Sequence, residues 1–174
     1  MPPPRALVNF CQGQRDASFR VAEFMYSQLF PGLSVTAINA QALATWAADW
    51  SQHPSPYTQG NFPWPARVTH FRSRASRFEI ALWSQQTLCG MALAKSTARS
   101  ICFHYVESFH GRNPLDGVVA LIAFTAADYY GKDRGKSHIR LMNPSPGAIP
   151  HYKQLGFTIE KLVGSDTFYH RPIT

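Results

Sequence analysis

The sequence predicts a mixed α+β fold, and three observations carry the prediction. Two apolar repeats of helical period occupy the N-terminal third, alternating strands joined by short polar turns fill the middle, and a buried helix, a short strand and a short helix follow. The expected architecture is a central mixed, mostly antiparallel sheet flanked by helices.

In residues 14–30, Ala17, Val21, Phe24, Met25 and Leu29 recur at helical spacing, Arg15, Asp16, Arg20 and Glu23 take other positions, and Pro31-Gly32 ends the helix. Asn39 caps a second helix running to about Gln52, with Leu43, Trp46, Ala47 and Trp50 on one side. Both apolar faces are expected in the core. Residues 53–66 hold Pro54, Pro56, Pro63 and Pro65 among Tyr57, Phe62 and Trp64, which predicts an irregular loop that either lines a substrate mouth or packs on the body.

Strands are predicted over residues 68–72, 77–83, 88–95 and 100–109, with tight turns at 84–87 and 96–99. Strict alternation in the last strand puts Ile101, Phe103, Tyr105, Glu107 and Phe109 on one face, and Cys102, His104, Val106 and Ser108 on the other. A glycine-containing connection, residues 110–117, leads to a helix over 118–130 that is apolar nearly all round and therefore buried. Residues 131–136 are polar and turn back to a strand over 138–142, which Asn143-Pro144 stops. Ser145 is the expected N-cap of a last helix, with Pro146 at its first position and Gly156 at its C-terminal turn. Pro150 then falls in the helix interior, where it costs roughly 3 kcal/mol unless something offsets it. Residues 161–172, with Val163, Phe168 and Tyr169, are expected to form closing strands.

A chain of 174 residues suits one domain, 1–174, with residues 1–66 supplying helices and the aromatic loop, and 67–174 the sheet. Hydrophobic residues are 45% and charged residues 16% of it, the composition of a globular chain. No apolar run reaches the roughly 18 residues of a membrane span, and Met-Pro-Pro-Pro-Arg lacks a signal peptide's apolar core, so the expected location is the cytoplasm with no membrane partner. Cys11, Cys89 and Cys102 are widely spaced, suggesting neither a disulfide framework nor a metal site. The net charge of +7 draws anions. A nucleotide cofactor, nucleic acid or a merely solvated basic surface all satisfy it, with Arg67, Arg72, Arg74 and Arg77 and then Lys132, Arg134 and Lys136 as loose groups. A Walker loop, a dinucleotide glycine fingerprint and a serine hydrolase elbow are absent.

Asn143, Ala148, Pro150, Tyr152, Leu155, Gly156 and Phe157 resemble, position for position, the last block of the GNAT N-acetyltransferase superfamily. The order of strand, glycine loop, buried helix, strand and tyrosine helix is similar to the same family. The resemblance implies a GNAT-like α/β mixed fold and acetyl-CoA as co-substrate. It implies Tyr152 as the acid that protonates the leaving thiolate, Asn143 beside the pantetheine arm or a water, and Glu107 as a base acting directly or through water. It assigns cofactor binding to Val106, Ser108 and Phe109 where the strands splay, and to Gly111, Arg112 and Gly117 in the pyrophosphate loop. That loop departs from the family pattern: it is about one residue longer, Pro114 has no N–H, and Asp116 adds a negative charge. It either binds with altered geometry, helped by Arg112, or has lost binding. On residues alone, Tyr152 also reads as a half-buried helix residue and Glu107 as a paired surface carboxylate.

The function implied is acyl-CoA-dependent transfer of an acetyl group to an amine by direct attack. The amine belongs to a small molecule, a protein or an aminoacyl-tRNA. The alternative is a non-catalytic GNAT-like protein that binds a protein or nucleic-acid partner through its basic surface. Homodimers are frequent in that family, and no residue here demands one.

Overall fold

The computed structural model describes residues 4–71, 75–160 and 163–174. Helix α1 (Arg5–Tyr26) leads to β1 (Leu33–Thr36), α2 (Ala40–Asp49), a 3₁₀ turn (Trp50–Gln52) and α3 (Trp64–Phe71). The strands β2 (Arg77–Ser84), β3 (Thr87–Ser96) and β4 (Ser100–Ser108) follow, then α4 (Val119–Asp133), β5 (His138–Met142), α5 (Ile149–Gln154), β6 (Thr158–Ile159) and β7 (Phe168–Pro172). One seven-stranded sheet runs β1-β2-β3-β4-β5-β7-β6, antiparallel throughout except for the parallel pair β4–β5. The predicted α+β class is the observed one.

Alternation along β2 and β3 divides the core between the two faces of the sheet. Phe78, Ile80, Leu82, Ala92 and Ala94 pack with α1 and α4, whereas Ala81, Trp83, Met91 and Leu93 pack with Ala42 of α2 and Trp64, Val68 and Phe71 of α3. Strands covered on both sides read as continuous apolar runs, which is why 78–83 and 88–94 were recognisable. Gly90 lets α4 close down on the sheet: a Cβ there would overlap the side chain of Val119.

Several local expectations are corrected. Helix α1 starts nine residues earlier than predicted and buries Cys11, Arg15, Ser18, Phe19 and Ala22, while Phe24, Met25 and Leu29 of the predicted face are exposed. Small residues permit close approach there, and Arg15 is tolerated because its guanidinium donates to the Arg77 carbonyl at 2.6 Å and to Gln12 Oε1 at 2.7 Å. In the second helix, Asn39 does cap, its Oδ1 accepting from the Ala42 N–H at 2.9 Å. Trp50 is buried, Leu43 and Trp46 are half-buried, and Ala47 is exposed.

The predicted strand 68–72 is helical through Phe71, with Arg72 outside the described residues. The buried trio Trp64, Val68 and Phe71 has helical spacing, and Pro65 falls in the first turn, where a missing N–H costs nothing. The same helix shortens the predicted loop 53–66. Strand β1, only four residues long, was not predicted. Pro150 also lies in a first turn, because the 3₁₀ turn Pro146–Ala148 precedes α5, so the interior penalty does not arise. Ser145 is extended at the expected N-cap position but its side chain makes no capping bond. Of the closing stretch, β7 forms and Val163 makes only an isolated bridge with Asp166; residues 161–162 lie outside the described ones.

Candidate active site

The site begins with an irregularity in β4. Leu93 pairs with Tyr105 and Ala94 with Phe103, so His104 is an extra residue, a bulge. It reverses the alternation, which corrects the predicted faces: Ile101, Phe103 and Val106 pack on the α4 side, and Tyr105 and Phe109 on the α3 side. The parallel ladder between β4 and β5 runs only from Ser100↔His138 to Phe103↔Leu141. Beyond the bulge the strands part, and two cavities of about 510 and 460 Å³ meet at that opening. Gln59, Gly60, Phe62, Val106, Ser145 and Tyr152 line both.

Tyr152 owes its position to the way α5 ends. The Gly156 N–H bonds to the Lys153 carbonyl at 3.0 Å and the Phe157 N–H to that of Tyr152 at 3.1 Å, with Gly156 at φ +87°. This is a Schellman turn, and the apolar contact that accompanies it is Tyr152 against Phe157, ring centroids 6.1 Å apart. Phe124 of α4 holds the other side of the ring at 5.9 Å. Burial pushes the Tyr152 phenol up to about 12, so it stays protonated across the neutral range. Among the described residues its hydroxyl has no hydrogen-bond partner.

Glu107 is buried and lines the second cavity. Its Oε1 accepts from the Asn61 N–H at 2.5 Å and its Oε2 from the Trp64 indole N–H at 2.7 Å. Burial raises its carboxyl above the ordinary value, against the lowering pull of the Trp64, Asn61 and Phe62 N–H groups and of His110. The carboxylate thereby holds the aromatic loop over the opening. The loop is closed on itself as well: Asn61 Oδ1 accepts from the Ser55 N–H at 2.7 Å and its Nδ2 donates to the Ser55 carbonyl at 3.2 Å. Phe62 then meets Tyr105 edge-on at 4.9 Å.

The second cavity reaches the amino end of α4 through Asp116, Gly117, Val119 and Ala120. Gly117 has φ +76° and no side chain caps the helix, so the first-turn N–H groups of Val119, Ala120 and Leu121 have no intrahelical partner. Uncapped N–H groups with the helix dipole behind them suit an anion. Asn113 shapes the approach, donating to the Cys89 carbonyl at 2.9 Å and the Phe109 carbonyl at 3.1 Å while accepting from the Leu115 N–H at 2.9 Å.

The other residues singled out from the sequence are dispersed. Ser108 lines the second cavity. Asn143, at φ +51°, lines the first, and its amide is engaged by Asp166 and the Thr167 N–H, both at 2.8 Å. Phe109 is buried against Trp50 and His53, and Gly111 packs on that ring, where a Cβ would overlap it. Arg112 is exposed, and Phe109, Gly111 and Arg112 line neither cavity. Sequence reasoning gave no role to Asn61, Asn113 and His151, and named Trp64 only within the aromatic loop and Arg67 only within a loose basic group. Asn113-Pro114 carried a turn signal that could have marked the first of the loop contacts; the tie from Glu107 to Asn61 and Trp64 spans more than forty residues and has no local signal. Among the described residues, no group of three His, Cys, Asp or Glu side chains could hold a metal, and no helix is long and apolar enough to cross a membrane.

The arrangement of sheet and helices is the GNAT acetyltransferase fold. An acetyltransferase from Thermus thermophilus superposes with a TM-score of 0.63 at 18% identity, covering 82% of this chain and 98% of that one. The ribosomal-protein-S18-alanine N-acetyltransferase of Escherichia coli gives 0.58 at 14% identity, covering 82% and 94%. The PaiA N-acetyltransferase of Thermoplasma acidophilum, solved in complex with coenzyme A, gives 0.56 at 14%, covering 80% and 98%. No family model matches the sequence, and no curated protein matches it either.

Proposed function

We propose that the chain, as one GNAT-like domain, is an acyl-CoA-dependent N-acetyltransferase that moves an acetyl group from acetyl-CoA to an amine. The observation that carries this reading is Tyr152 on the wall shared by the two cavities, at the point where β4 and β5 part. The second cavity would hold the acyl-CoA, its pyrophosphate on the free N–H groups at the start of α4 and its pantetheine arm along Val106 and Ser108. The amine would enter through the first. Its nitrogen attacks the thioester carbon, the C–S bond breaks, the ammonium proton passes to a base, and the sulfur leaves as a thiolate that is protonated in turn.

Tyr152 serves that thiolate chiefly as a hydrogen-bond donor. Complete transfer from a phenol at about 12 to a thiolate whose parent thiol sits near 8.5, the cysteine value, would cost about 5 kcal/mol. The ammonium proton therefore goes to the base, and the thiolate leaves hydrogen-bonded to the phenol and takes its net proton from solvent. Glu107, buried and raised, is the candidate base through a water in the second cavity, and it also positions the loop. Asn143 acts by holding the turn at 166–167, and Gly111 by packing under Phe109.

Calorimetric titration with acetyl-CoA, with desulfo-CoA and ATP as controls, tests the proposal; micromolar binding followed by amine-dependent thiol release is the expected result. One observation favours a second reading: Asp116 lines the cavity assigned to an anion while Arg112 does not. Absence of binding to acetyl-CoA, with salt-sensitive retention on nucleic acid, would leave a non-catalytic binding module.

A further inference from the structure

We infer that the amine acceptor carries an anionic group, a carboxylate or a phosphate, which Arg67 binds; this rests on the acyltransferase reading of the two cavities. Among the described residues, the side chains lining the first cavity include Arg67 and His104 and no Asp or Glu. Glu107 lies on the second cavity with both oxygens engaged by the aromatic loop, and Asp166 accepts from Asn143. A polyamine or a lysine-rich peptide would therefore bring its extra cations to a wall that offers them no countercharge.

Arg67 is suited to the opposite task. Its guanidinium carbon sits 4.9 Å over the Tyr105 ring, so the group is held by a cation–π contact. Among the described residues it forms no ion pair, and its forked N–H groups stay available for a planar carboxylate or a phosphate. The cavity of about 510 Å³ has the size of a small-molecule site, and Phe62 and Tyr105 give it an apolar shelf next to the cation. The shelf places a short apolar stem between the anionic group and the amine. Amino acids of this kind, or aminoalkyl phosphates, have the required combination.

The test compares matched acceptors by thiol release from acetyl-CoA: a panel of amino acids against their amides, and phosphoethanolamine against ethanolamine. The expected result is at least tenfold higher kcat/KM for the anionic member of one class, which also distinguishes carboxylate from phosphate. Arg67 is exposed on α3, so Arg67→Gln should fold normally, collapse the preference through KM with kcat kept, and Arg67→Lys should restore part of it. Equal use of both members, a preference for neutral or polycationic amines, use of neither, or an unchanged ratio in Arg67→Gln would overturn the inference. If acetyl-CoA itself fails to bind, the acyltransferase reading falls separately. The inference is then judged by direct titration of the same pairs with tryptophan fluorescence as readout, where equal or absent binding of the anionic members overturns it.

Discussion

Replacing Tyr152 by Phe removes one hydroxyl and little else. The ring contacts with Phe124 and Phe157 remain, the Schellman turn is backbone-made, and no described residue loses a hydrogen bond. Stability should change by less than about 1 kcal/mol. Turnover should not be spared, because a donor aimed at developing charge in a desolvated site contributes about 3 kcal/mol, or roughly a hundredfold in kcat. Affinity for acetyl-CoA should stay within about tenfold. Since burial holds the phenol at about 12, the wild-type kcat profile should show no fall from its ionisation below about pH 11. Thiol release under saturating acetyl-CoA, from pH 6 to 10, measures this with calorimetric Kd values alongside. A kcat within threefold of wild type would mean that water or another group serves the thiolate. An equal loss of binding would make Tyr152 a packing residue.

Trp64→Phe withdraws the indole N–H from Glu107, so its carboxyl should rise further and the acidic limb of kcat/KM should move to higher pH; an unmoved limb argues against Glu107 as the base. Burial already raises Glu107, so its contribution to stability is complete below the ordinary glutamate range and is lost as pH rises through the raised value. Glu107→Gln has no such loss, and urea midpoints of wild type minus variant should decrease with rising pH. Gly90→Ala should cost about 1–3 kcal/mol by overlap with Val119 and weaken acetyl-CoA binding at the start of α4, and adding Val119→Ala should recover part of both. Asp128→Ala leaves the Arg171 guanidinium without its two-pronged partner and should cost about 3 kcal/mol in urea denaturation.

Legibility in the sequence followed the range of the interaction. Strands β2 and β3, the buried helix α4, the Asn39 cap and the Gly156 exit were visible because each depends on residues a few positions apart. Patterns failed where a neighbour overrode them. The polar-looking stripe Cys11, Arg15, Ser18 of α1 is the buried one because the sheet supplies a carbonyl for Arg15. Residues 68–71 alternate like a strand yet are helical, since Trp64, Val68 and Phe71 at helical spacing all join the core cluster on that face of the sheet. The Tyr152 helix was readable as a motif, while Arg67 and the Asn61–Glu107–Trp64 clamp were not.

By itself, then, the sequence determined the class of fold and the order of elements from β2 to α5, because periodicity, capping and turn chemistry are local. The tertiary structure alone decided that His104 bulges, that β4 and β5 therefore part, that two cavities meet at Tyr152, and that Glu107 ties down a loop more than forty residues away. Each of those rests on one extra residue in a ladder or on hydrogen bonds between distant segments, and such contacts leave no periodic trace along the chain.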